Sequence, residues 1–131
     1  MYQRFFAALA ALMVPGTLLS QGVWEKTYKL GSPTSIHSIK QVPDGGYIMA
    51  GWGAGWFGGL AEQNAIIMRL NSNGDTLWYK IAGGSQWDGF YAVVRDNDGG
   101  FVAAGETQSF GAGAQEVLLM KFDSLGNKVW D

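Results

Sequence analysis

Short apolar runs follow one another along this chain in a fixed order, and the order is run through twice. Residues 36–42 and 90–95 predict a first strand in each copy, and residues 47–51 and 101–105 a second. Residues 65–70 and 117–122 predict a third, and residues 76–80 and 128–131 a fourth. The third segments are apolar without a break until Arg69 or Lys121. A sheet with one wet face alternates apolar and polar residues, so an unbroken run predicts a strand covered on both faces. Beyond the first segment of the chain no stretch carries a helical period. The pattern therefore predicts an all-β protein of two four-stranded antiparallel meanders, stacked face to face.

The turns repeat with the strands. Asp44-Gly45-Gly46 and Asp98-Gly99-Gly100 separate the first strand from the second, and glycine supplies the positive φ that such hairpins need. Asn71-Ser72-Asn73-Gly74 and Asp123-Ser124-Leu125-Gly126 separate the third from the fourth. Trp24, Trp78 and Trp130 mark the period, 54 and then 52 residues apart. The two-residue difference falls in one connection, residues 52–65 against 106–117, as a surface loop allows. Repeat 1 is 24–77 and repeat 2 is 78–131. Repeats of this length are the signature of propellers and solenoids, and a propeller stacks four-stranded blades radially. The tryptophan of the fourth strand is expected to fill the gap to a neighbouring blade. Two units fall short of the roughly three that such arrays need. The expectation is a partial β-propeller: a fragment, or a chain that completes its ring by self-association through open blade edges.

The first segment reads differently. Arg4 precedes ten apolar residues, 5–14, then Pro15-Gly16 and a polar stretch with small residues. That order predicts a helical signal peptide over residues 1–22, cleaved between Ser20 and Val23. Ten apolar residues are too few to span a bilayer, which takes about 20. No membrane span is expected once the signal is removed. The expected location is outside the cytoplasm: secreted, on the cell surface or in the periplasm.

Composition narrows the function. The chain has 131 residues, 47% of them hydrophobic and 15% charged, with 20 glycines and 3 prolines, which suits an all-β protein rich in turns. Net charge is −2 and no Lys/Arg cluster exists, which argues against nucleic acid as a partner. The absence of cysteine removes disulfides, thiolate metal sites and a cysteine nucleophile.

At the repeated residues the chain resembles a known kind of unit. Trp78, Gly83-Gly84-Ser85, Asp98-Gly99-Gly100-Phe101, Ala104-Gly105, Lys121-Phe122-Asp123, Gly126 and Trp130 follow the order found in secreted β-propeller repeat proteins of the Bacteroidota. The resemblance covers residues 24–131 and departs at Leu30-Gly31-Ser32-Pro33, where the Gly-Gly-Ser segment is degraded. It implies a β-propeller fold, and such proteins are often type IX secretion substrates. No sorting domain is present among the 131 residues. The spacing is also similar to quinoprotein-type blades, but no quinone-binding residues match.

A meander puts alternate connections at opposite ends. Connections 52–65, 81–89 and 106–117 share the end away from the glycine turns, and a ligand face is expected there. The candidates are Trp52, Trp56, Phe57, Trp87 and Asp88, aromatics on glycine-rich backbone with a carboxylate, suited to stacking on sugar rings. The bland alternative is that these aromatics pack on the blades. Glu62, Asp88, Glu106 and Glu116 supply carboxylates at that end, but spacing places no two of them at a glycosidase distance. Asp96-Asn97-Asp98-Gly99 is a fragment of a calcium loop, read as a turn. His37, the single histidine, aligns with Tyr91 inside a strand and is read as a packing or surface residue. No nucleophile elbow and no phosphate loop occur. No catalytic residue, metal or cofactor is expected. The reading is a non-catalytic scaffold, adhesion or recognition segment, with a carbohydrate-binding or glycan-processing propeller fragment, or the remnant of a larger surface protein, as alternatives. The partners expected are a glycan, a cell-surface protein or a second copy.

Overall fold

A computed structural model describes residues 24–54 and 63–131. The signal peptide expected over residues 1–22 lies outside the described residues. The described chain is all-β, with eight strands in two sheets: β1 (Thr34–Gln41), β2 (Tyr47–Gly53), β3 (Asn64–Leu70), β4 (Thr76–Ala82), β5 (Asp88–Arg95), β6 (Phe101–Thr107), β7 (Glu116–Phe122) and β8 (Lys128–Trp130). Sheet A has the order β1-β2-β3-β4 and sheet B the order β5-β6-β7-β8. All neighbours are antiparallel.

The turns form as their residues dictate. Gly45 and Gly99 sit at φ of 83° and 86°, where a side chain is strained. Their N–H groups close turns on Val42 and Asp96 carbonyls at 2.9 and 3.1 Å. The Asp44 and Asp98 carboxylates accept the N–H of Gly46 and Gly100 at 2.9 and 2.8 Å, fixing each corner. In the other pair of turns the roles of Asn and Asp are exchanged. Asn71 accepts from the Asp75 N–H and donates to its carboxylate. Asp123 accepts from both the N–H and the side-chain amide of Asn127.

Sheet A and sheet B meet over one apolar core. Ile48, Ala50, Ala65 and Ile67 of sheet A face Phe90, Val93, Phe101, Ala103, Leu118, Met120 and Phe122 of sheet B. On the other side of sheet A, Met49, Ile66, Met68 and Leu70 are covered by Tyr28 and Leu30 from the segment before β1. Trp78 reaches across between the sheets at the turn end: its ring meets Phe101 edge-on at 6.0 Å and lies against Gly126, and its indole N–H donates to the Ser124 carbonyl at 3.1 Å. Trp24 repeats that placement one sheet earlier, meeting Tyr47 at 5.9 Å and lying against Gly74.

Two expectations need correcting. The second strands do not end at Gly51 and Gly105 but run two residues further, to Gly53 and Thr107. A Cβ at Gly51 would lie 1.9 Å from the Ser35 carbonyl oxygen, and one at Gly105 would lie 1.8 Å from that of Gly89. These glycines let the first strand come close rather than stopping the second. The third strands also differ from each other. β3 is buried on both faces as its apolar run predicts, but Val117 and Leu119 of β7 are exposed, because no described residue covers that face.

Candidate functional site

The loop-rich end carries a cluster of rings that spans both sheets. A β-bulge interrupts the β1–β2 ladder between Ile36 and Ser38, and another interrupts β5–β6 between Phe90 and Ala92. The bulged residues are His37 and Tyr91, counterparts in the repeat. A bulge re-aims its side chain, and here the two rings meet edge-on at 5.2 Å. His37 also lies 6.5 Å from the Trp52 ring, and Tyr91 lies 6.3 Å from that of Trp87. The four rings form a row, Trp52–His37–Tyr91–Trp87. Gly89 lies beneath it: a Cβ there would lie 3.3 Å from Trp87 and 3.4 Å from Trp52. His37 and Tyr91 are exposed, and the two tryptophans are half-buried.

Polar groups border the row. The Trp87 indole N–H donates to the Gln63 side-chain oxygen. The Tyr91 hydroxyl donates to Glu106, which also accepts from the Gln115 amide. Partial burial, and then the neighbouring Glu106 carboxylate, push the Tyr91 phenol up to about 12. It therefore stays protonated and a donor at neutral pH. Glu106 stands at the repeat position of Trp52, so sheet A places a ring where sheet B places a carboxylate.

Asp88 serves the loops. It is fully buried. Its carboxylate accepts from the Gly84 N–H at 2.9 Å, from the Ser109 hydroxyl at 2.6 Å, and from the Thr107 hydroxyl. Ser109 in turn accepts the Gly84 and Gln86 N–H groups at 3.1 Å. The Gly83-Gly84-Ser85 loop is thus tied to the connection after β6. A buried carboxylate with three donors is a satisfied structural group. Glu116 likewise accepts the Ala112 N–H at 2.7 Å inside its own connection.

Of the residues expected to form a ligand face, the structure brings Trp52 and Trp87 onto the same glycine and turns the Asp88 carboxylate inward. Trp56 and Phe57, like Glu62, lie outside the described residues. His37 and Tyr91 complete the row although sequence reading assigned them no binding role. Their signal was the Ala-Gly pair in each second strand, since glycine inside a strand marks a bulge opposite.

The turn end holds charges instead. Arg69, buried among its neighbours, pairs with Asp44 and donates to the Leu70 carbonyl. Lys121, its repeat counterpart, pairs with both Asp96 and Asp98. The Gly46 N–H and then Arg69 hold the Asp44 carboxyl below the ordinary carboxylate range. Lys121, and then the N–H groups of Asn97 and Gly100, do the same for Asp96 and Asp98. An open groove of about 720 Å³ runs between the sheets here, past Trp78 and Phe101. Among the described residues no group of three or more His, Asp or Glu side chains is placed to hold a metal ion.

No family model matches the chain, and no curated protein matches it.

Proposed function

We propose that this chain is a non-catalytic β-propeller-type repeat segment that works outside the cytoplasm as a scaffold and recognition module. One observation carries the reading: Trp24 and Trp78 dock in the same way on successive sheets. Each sheet receives the same contact from the segment that precedes it, which is how an array is built. The carboxylates at Asp44, Asp88, Asp96, Asp98 and Glu116 are engaged in turns, loops and ion pairs, which further supports a structural role. Export rests on the residue 1–22 pattern. Expressing the full chain in a Gram-negative bacterium and sequencing its N-terminus tests it. The expected product begins between residues 21 and 23 and is found outside the cytoplasm. A cytoplasmic product that keeps Arg4 would overturn the reading.

A second reading is favoured by the ring row. Aromatic faces with bordering hydrogen-bonding groups make an oriented binding surface, and Gln63, Glu106 and Gln115 border this one. That chemistry suits the apolar face and rim hydroxyls of a sugar. On a glycan array the chain should bind at least one oligosaccharide, and Trp52→Ala or Trp87→Ala should weaken it by about tenfold, roughly 1.4 kcal/mol. Binding unaffected by either substitution would dismiss the ring row as the glycan site.

A further inference from the structure

Repeat positions that are buried in sheet A are half-buried or exposed in sheet B. Ile48, Ala50, Ala65 and Ile67 lie in the inter-sheet core. Their counterparts in sheet B are Val102, Ala104, Val117 and Leu119. Val117 is 85% exposed and Leu119 45%. The reverse holds on the first strands. Phe90 and Val93 of β5 are buried where β5 lies across β1, β2 and β3. Their counterparts in β1, Ile36 and Ile39, are 39% and 52% exposed. The first surface is therefore presented again on the outer side of sheet B, and the second only in part on the outer side of sheet A, where Ile36 and Ile39 are exposed and Tyr28 and Leu30 already cover Met49, Ile66, Met68 and Leu70.

An open strand edge accompanies the open face. In sheet A, β4 pairs with β3 from Ala65 to Leu70. In sheet B, β8 pairs only with Lys121 and Phe122. Val117, Leu118, Leu119 and Met120 have no strand beside them on that edge among the described residues. Residues 24–28 are the counterpart of residues 78–82 of β4 by sequence offset, and they lie in no sheet. They already hold β4's place relative to the following sheet. Trp24 lies against Gly74 as Trp78 lies against Gly126, and Tyr28 donates to the Gly74 carbonyl at 2.7 Å. Tyr28 also packs on the outer core of sheet A as Ala82, its counterpart, packs on the inter-sheet core.

We propose that a second copy of this chain docks head to tail on the first: the open face of one copy's sheet B seats on Ile36 and Ile39 of the other, whose residues 25–28 complete the edge of β7. This deepens the scaffold reading and rests on it. The register follows from sheet A, where Ala65, Ile66, Ile67 and Met68 pair with Ala82, Ile81, Lys80 and Tyr79. Transferred by the repeat offsets, Val117 pairs with Tyr28 of the second copy, Leu118 with Thr27, Leu119 with Lys26 and Met120 with Glu25. Trp24 and Trp130 are both counterparts of Trp78, so only one can stand between the copies. The two are equally exposed, at 41% and 42%; Trp24 lies on Gly74 and Tyr47, whereas Trp130 pairs only with Lys121 at the end of β8, and in the docked pair Trp130 yields. Main-chain pairing along an open edge supplies affinity, and the apolar face supplies fit. The contact is heterologous, so it repeats until the rotation closes a ring.

Light scattering on a size-exclusion column tests this with the purified chain. The expected mass is a whole multiple of one chain, reached reversibly with concentration. Leu119→Asp and Ile39→Asp should each elute as single chains, because each loses one of the two faces. Their equimolar mixture should give a two-chain species, since each variant keeps the face that the other lacks. Near-UV circular dichroism of the tryptophans reads whether each variant is folded. Thr27→Pro, which removes a strand donor while leaving both faces intact, should also reduce the assembly to single chains. A folded wild-type chain that stays single, a variant that keeps the wild-type mass, or a mixture that stays single would each overturn the proposal. Such a result would leave the glycan readout and the processed N-terminus to judge the proposed function separately.

Discussion

Ile67 and Leu119 hold the same place in the repeat, in strands with the same apolar-then-basic pattern, yet Ile67 is fully buried and Leu119 is 45% exposed. Nothing in either strand explains the difference. Ile67 has sheet B across from it, and Leu119 has no described residue there. In a stacked array the burial of a strand is a property of its neighbour. On the outer side of sheet B, Val117 and Leu119 are exposed, and on the outer side of sheet A, Ile36 and Ile39 are exposed beside a face that Tyr28 and Leu30 cover.

The comparison can be broken most forcefully at Phe90 and Ile36. Phe90→Ala empties a fully buried site and should lower unfolding free energy by about 4 kcal/mol. Ile36→Ala, at the same repeat position, should lower it by about 1 kcal/mol or less in dilute solution, where its side chain stays partly wet. Urea unfolding followed by tryptophan fluorescence measures both. Equal losses in a single-chain species would break the comparison.

The glycines of the second strands should instead behave alike. Gly51→Ala and Gly105→Ala each force a Cβ onto a backbone carbonyl, and each should lower stability by about 3 kcal/mol. A large difference between the two melting temperatures would show that the two bulges are not equivalent.

Trp78 and Trp24 sharpen the difference between an internal and an outer wedge. Trp78→Ala opens the contact between two complete sheets and should lower stability by about 2 kcal/mol. Trp24→Ala loosens only the segment before β1, and its effect should be smaller, read as faster amide exchange at Gly74 and Tyr47.

The smallest effect is expected from acid. The Asp44, Asp96 and Asp98 pKa values are lower folded than unfolded, so their contribution is present above the ordinary carboxylate pKa and is lost as pH falls through the folded values. The melting temperature should therefore decline below about pH 4. Replacing both Asp96 and Asp98 by Asn should flatten that decline more than Asp44→Asn, because two carboxylates face Lys121 and one faces Arg69. An unchanged acid limb in the double variant would remove these ion pairs from the account.

Much of this was legible because the strands and turns are local. Asp-Gly-Gly and the following apolar run set the hairpin without help from the rest of the chain, and each of the four strands per copy overlaps its expected span, with ends displaced by up to two residues. The repeat interval also placed Trp78 between sheets. What could not be read depends on neighbours. The apolar run of β7 looked the same as that of β3, and only the stacking order shows that its outer face stays open. The bulges at His37 and Tyr91 needed the partner strand to be visible, so the ring row was seen only in part. Asp88 looked like a ligand carboxylate beside Trp87. Two of its donors, Thr107 and Ser109, arrive from the end of β6 and the connection after it, 19 and 21 residues later, and no spacing rule announces them.

The central claim is that each sheet receives the same tryptophan contact from the segment that precedes it. A nuclear Overhauser spectrum of the chain tests it most directly. The account predicts that the Trp24 ring shows cross-peaks to the Gly74 α protons and the Tyr47 ring, matching those of the Trp78 ring to Gly126 and Phe101. A Trp78 set without its Trp24 counterpart, in a folded chain, would contradict it.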